Sequence, residues 1–86
     1  MARDLKQVTA TGNVTTTVPA FLNSVAVTGA VTVDVRDGAS GPIRLTLVAS
    51  ATSTALWSAG DREGVLFGTA IHATLTGTGT ASFEFS

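Results

Sequence analysis

An antiparallel all-β domain, a β-sandwich or jelly-roll-like barrel of seven to eight short strands, is the fold class this sequence predicts. Three observations predict it. From Gln7 to Val33 the chain carries no charged side chain, and Val, Thr and Ala fill the stretch with Gly or Pro as punctuation. β-Branched Val and Thr suit a pleated, half-buried surface, Thr turning a hydroxyl outward where Val turns a methyl inward. Neutral segments between the charge clusters alternate with period two, the mark of half-buried strands. No segment sustains a helical period with caps, and no apolar run approaches membrane-spanning length.

The elements follow in order. Arg3, Asp4 and Lys6 precede the first strand pattern, so residues 1–6 read as a polar arm ahead of a single domain at residues 7–86. Val14 and Val18 flank Thr16 on one face, and Pro19 ends that strand because it lacks a ladder donor. Phe21 to Thr28 sets Val25 and Val27 inward, and Gly29-Ala30 predicts a tight turn into the next strand. There Val31, Val33 and Val35 face inward while Thr32, Asp34 and Arg36 face water. Asp37 to Pro42 is dense turn chemistry, after which Ile43, Leu45, Leu47 and Ala49 resume the alternation. Ser50 to Ser58 is less regular, with Leu56-Trp57 expected to anchor it to the core. Val65-Leu66-Phe67 reads as a short strand broken by Gly68. Ile71, Ala73 and Leu75 then take the inner face, and Gly77-Thr78-Gly79 predicts a hairpin turn into Ala81, Phe83 and Phe85.

Eighty-six residues make one domain with a thin core, since a chain of this size buries only about 60% of its unfolded surface. Such domains usually gain stability from disulfides, metals or partners. The chain has no cysteine and one histidine, which leaves no basis for disulfides, thiolate metal sites or an imidazole cluster. Partners remain, and a homo-oligomer or larger assembly is expected. A net charge of −1 gives no electrostatic grip on nucleic acid or an anionic membrane. The start, MARDLKQ, lacks the apolar core of a secretory signal, so the chain reads as a complete, cytosolically made product from Met1.

Candidate chemistry is sparse, and no catalytic residue, metal ligand or cofactor site is assigned. Asp61 and Glu63 are closely spaced acids of the kind that serve glycosidases or hard cations. Arg62 between them has the wrong sign for a cation, and a solvated loop tip, serving as a rim contact to a partner, fits better. His72 shares its face with Thr74 and Thr76 and has no nucleophile elbow to serve, so an outward-facing or inter-subunit histidine is expected. Gly77-Thr78-Gly79 lacks the Lys, the third Gly and the helix of a phosphate loop. Phe21, Phe67, Phe83 and Phe85 fill the core more simply than they stack on sugars or bases, and Trp57 stays open as a glycan platform. The arm reads either as a frayed terminus or as a segment that adds a strand to a partner's sheet edge. The candidate partner-binding residues are therefore Arg3, Asp4 and Lys6 of the arm and Asp61, Arg62 and Glu63 of the loop.

The order of features from Gly12 to Phe85 resembles small β-sandwich virion proteins of tailed bacteriophages. The elements that carry the resemblance are Val18-Pro19-Ala20-Phe21-Leu22, the strand Ser24 to Thr28, and the V-x-V-R-D-G segment Val33 to Gly38. Phe67-Gly68-Thr69-Ala70-Ile71 and the LTGTGT segment from Leu75 to Thr80 complete it, while Ala49 to Ala59 has no counterpart. The resemblance implies a non-enzymatic virion component, foremost a capsid cement or decoration protein on the outside of the head, often trimeric, bridging major capsid protein subunits. It implies no cofactor, no nucleic-acid or membrane partner, and synthesis in the host cytoplasm. A tail, head-fibre or connector component, or a small glycan-binding module using Trp57, is the alternative.

Overall fold

The computed structural model describes residues 4–60 and 64–86, and it is all-β. Its strands are β1 (Asp4–Val8), β2 (Gly12–Thr15), β3 (Ala20–Asp37), β4 (Ile43–Val48), β5 (Ala55–Ser58), β6 (Val65–Phe67) and β7 (Ile71–Phe85). All pair antiparallel in one open sheet. Two long strands organise it: β3 has 18 residues, β7 has 15, and they pair from Leu22 opposite Phe85 to Asp37 opposite Ile71. The free side of β7 takes β2 near its start and β1 near its end. The free side of β3 takes β6, β5 and β4 in turn.

One face of this ribbon is apolar along its whole length. Val25, Val27, Val31, Val33 and Val35 of β3 lie beside Ala73, Ala81, Phe83 and Phe85 of β7, and all are buried. With no helix among the described residues to cover that face, the sheet covers it itself. A straight strand the length of β3 would span about 60 Å at about 3.3 Å per residue, whereas the longest dimension of the molecule is 33 Å. The ribbon therefore doubles back as a β-sandwich. The first half-sheet holds β1, β5, β6, the start of β3 and the end of β7. The second holds β2, β4, the end of β3 and the start of β7. Leu22, Phe67, Phe83 and Ile71 are the bulkiest side chains in the core between them.

The doubling occurs where Gly29 faces Gly79 and Val31 faces Gly77. Gly29 and Gly77 have φ of +94° and +110°, the left-handed region that side chains disfavour. This corrects the expected turns at Gly29-Ala30 and at Gly77-Thr78-Gly79. Glycines on both strands at one level let the backbones approach and bend without breaking the ladder, so each supposed hairpin is one strand.

Other differences are local. Asp4 to Lys6, expected as an arm, run within β1 opposite Phe85, Glu84 and Phe83. Val18 does not join Val14 inside. β2 ends at Thr15, whose hydroxyl accepts the Thr17 N–H at 3.2 Å, and the chain turns before the cis Val18–Pro19 peptide. Ile43 is exposed because the β3–β4 register shifts at Val35/Arg36, placing it opposite Arg36 on the outer face. Arg44, left at the bulge, reaches β6, donating to the Leu66 carbonyl at 3.2 Å with its guanidinium 6.0 Å from the Phe67 ring centre.

The V-x-V-R-D-G segment closes two loops at the end of β3. Arg36 donates to the Gly41 carbonyl at 3.1 Å, holding the 37–42 turn. The Asp37 carboxylate accepts from the backbone N–H groups of Gly68 (3.3 Å), Thr69 (2.8 Å) and Ala70 (3.4 Å), pinning the β6–β7 connection. Hydrogen bonds to the charged form, led by that from Thr69, hold the Asp37 carboxyl below its ordinary value of 3.8. The unfolded state thus binds its proton first as pH falls. The stabilisation is complete above about pH 4 and is lost as pH drops through the lowered folded-state value. Asp37→Asn is expected to lower the melting temperature at neutral pH and to flatten the acid limb of the stability profile. An unchanged acid limb in thermal melts of the variant would remove this role.

Candidate partner-binding face

Among the described residues, His72 and Asp34 are tied into the sheet. His72 lies on the outer register of β7 but is only 9% exposed, and its Nδ1 is 2.9 Å from Asn13 Oδ1, so this nitrogen carries the hydrogen and donates. The expected outward-facing histidine is thus a buried cross-strand tie between β7 and β2. Its partner across β3 is Arg36, while the carboxylate of Asp34 accepts the Thr46 hydroxyl at 2.8 Å. Among the described residues no cluster of His, Asp and Glu could hold a metal ion. Trp57 is half-buried and packs on the core beside Ala55, and Phe21 is half-buried at the start of β3.

Asp4 and Lys6 are brought together on β1, both exposed, on the side of the strand that carries Phe85 and Phe83. They put charge on that outer strand, a common device against unwanted strand pairing. Arg3, Asp61, Arg62 and Glu63, the other expected partner-binding residues, lie outside the described residues.

Two outward features were not anticipated. The first is β4, which with six residues is the longest of the outer strands and pairs only with β3 among the described residues. Val48 is 68% exposed, and Ile43 is half exposed near the other end. The one charge on this strand, Arg44, is drawn across to β6 by the bulge. What remains at the edge is apolar or hydroxylic, and an unprotected edge of that kind is a template for another strand.

The second is a shallow trough of about 700 Å³ on the outer face of the first half-sheet. The strand register lays it out in two rows. One crosses Leu5, Glu84, Ser24 and Ser58, and the next crosses Gln7, Ser82, Ala26 and Leu56. The floor is small and hydroxylic: Ser24 donates to Glu84 Oε1 and Gln7 donates to Ser82 Oγ, both at 3.4 Å. Its walls are Leu5 and Leu56, 77% and 74% exposed. Leu56 was expected in the core with Trp57, but neighbours on a strand point to opposite faces, so only one of them can be inside. That alternation was the available signal. No protein family, curated protein or solved structure matches this chain.

Proposed function

We propose that this protein is a non-enzymatic structural subunit of a tailed-phage virion, a capsid cement protein that docks on the outside of the major capsid protein shell. The assembly is suggested by the sequence resemblance, and the means by the β4 edge. An edge strand offering backbone donors and acceptors, flanked by Ile43 and Val48, suits strand addition to or from a capsid subunit. Modest contacts of this sort suffice when many copies decorate one shell. The segments behind the resemblance are those that build this sandwich: V-x-V-R-D-G makes the Asp37 clamp, and LTGTGT carries the glycines of the bend.

Mass spectrometry of purified virions with copy-number calibration tests the reading. The protein is expected at a stoichiometry comparable to the major capsid protein, and Val48→Lys is expected to shed it from particles. A handful of copies per virion would reassign it to the tail, a head fibre or the connector. Absence from virions would end the proposal.

A further inference from the structure

We infer that the trough between Leu5 and Leu56 is a self-association face, on which two copies of this chain pack face to face as a two-fold dimer. The inference is independent of the capsid reading, because it uses the opposite half of the sandwich from β4.

The residue pattern favours a second copy as the occupant. In the two rows of the trough, Leu5 and Leu56 hold diagonal corners, and Gln7 and Ser58 hold the other two. A two-fold axis lying in the plane of the face, along the strands or across them, sets each leucine over a Gln7 or Ser58 corner of the second copy. It also sets each leucine beside a leucine of that copy. No leucine meets a leucine head-on. Glu84, the one charged side chain in the two rows, comes over Ser24 or Ser82 rather than over its own counterpart, so like charges are kept apart. An isologous interface demands such a self-complementary patch.

The area agrees with a reversible dimer. Four columns about 4.8 Å apart (β1, β7, β3, and β6 and β5 end to end), taken from Phe21 to Val27 at about 3.3 Å per residue, present a face of about 450 Å². A pair of copies thus covers about 900 Å², below the standard specific interface and in the range of weak, transient association. Exposed leucines here also explain how a domain without cysteine and with a thin core conceals apolar surface.

Sedimentation velocity over a concentration series tests this with the full chain. The average mass is expected to rise from the monomer's 8.7 kDa toward twice that value, with a dissociation constant in the micromolar range. Leu5→Lys and Leu56→Lys are each expected to weaken association by at least about tenfold, because an ammonium group must be desolvated beside the second copy's leucine. Both side chains are largely exposed, so circular dichroism should show both variants folded. Val48→Lys, on the other half-sheet, should dimerise like the parent. A parent chain that stays monomeric throughout, a closed trimer, or lysine variants that dimerise as well as the parent would overturn the inference. Loss of particle binding in Val48→Lys with dimerisation intact would bear on the proposed function alone.

Discussion

Alanine at Gly29 is expected to remove about 3 kcal/mol or more of folding stability. Two costs combine. A side chain at φ of +94° leaves the regions open to L-residues, at about 1–2 kcal/mol. The new Cβ would also stand 2.8 Å from the Gly79 Cα on the facing strand, and overpacking of that kind costs typically about 1–3 kcal/mol. At about 0.05–0.15 kcal/mol per residue the whole domain holds only some 4–13 kcal/mol, so the loss is a large part of the total. Gly79→Ala is obstructed at the same level of the ribbon but by other atoms, its Cβ running into the Thr28 carbonyl oxygen of β3 and falling 2.6 Å from Val31 Cγ1. The double variant should lose less than the two singles together, since one backbone displacement relieves both. Gly12→Ala, with open space around it, is the control and should change stability little. Urea titration reads all four, and a Gly29→Ala midpoint equal to the parent's would show that the ribbon does not depend on close approach there.

Phe83→Ala is expected to destabilise by about 3–5 kcal/mol, the range for emptying a buried phenylalanine site. Phe83 is 1% exposed on the inner face of β7, opposite Val25 of β3 and Lys6 of β1. Its ring lies in the first half-sheet with Val27, Ala81 and Phe85 as neighbours along the two strands. Small neighbours such as Ala81 cannot swing in to fill the space. The denaturation midpoint should fall with the slope unchanged, because the surface exposed on unfolding is nearly the same. Leu56→Ala removes a side chain of similar bulk from the outside and should shift monomer stability by no more than about 0.5 kcal/mol. Equal losses in both variants would mean that inside and outside are wrongly assigned.

The inner face was legible in the sequence wherever alternation ran unbroken. Val25, Val27, Val31, Val33, Val35, Ile71, Ala73, Ala81, Phe83 and Phe85 are buried as their spacing predicts. Glycine was the ambiguous letter. In a single chain Gly-Ala or Gly-Thr-Gly reads as a turn, and only the register of β3 against β7 reveals that Gly29 and Gly79 face each other inside one sheet. The bulge at Val35/Arg36 was hidden for the same reason, because it is a mismatch between two strands and neither sequence carries it alone. It put Ile43 outside and sent Arg44 to Phe67. The outward leucines were overlooked because bulk was equated with burial. For Leu56 the alternation with Trp57 already argued otherwise.

The pairing of β3 with β7 also fixes the route by which the chain can find this fold. β3 and β4 meet through the short turn at residues 38–42 and can pair early as a local hairpin. The principal ribbon has no such start. Its partners nearest in sequence are Asp37 and Ile71, its most distant are Leu22 and Phe85, and loop closure is least costly at the first of these. The ribbon should therefore zip from the Asp37 clamp toward the chain's end, through the glycine bend, with β1 added last along β7. Topologies dominated by such distant pairings fold in milliseconds to seconds rather than microseconds. Damage near the clamp is expected to slow folding, and damage near Leu22 and Phe85 to speed unfolding, as stopped-flow measurements of the two rates would show.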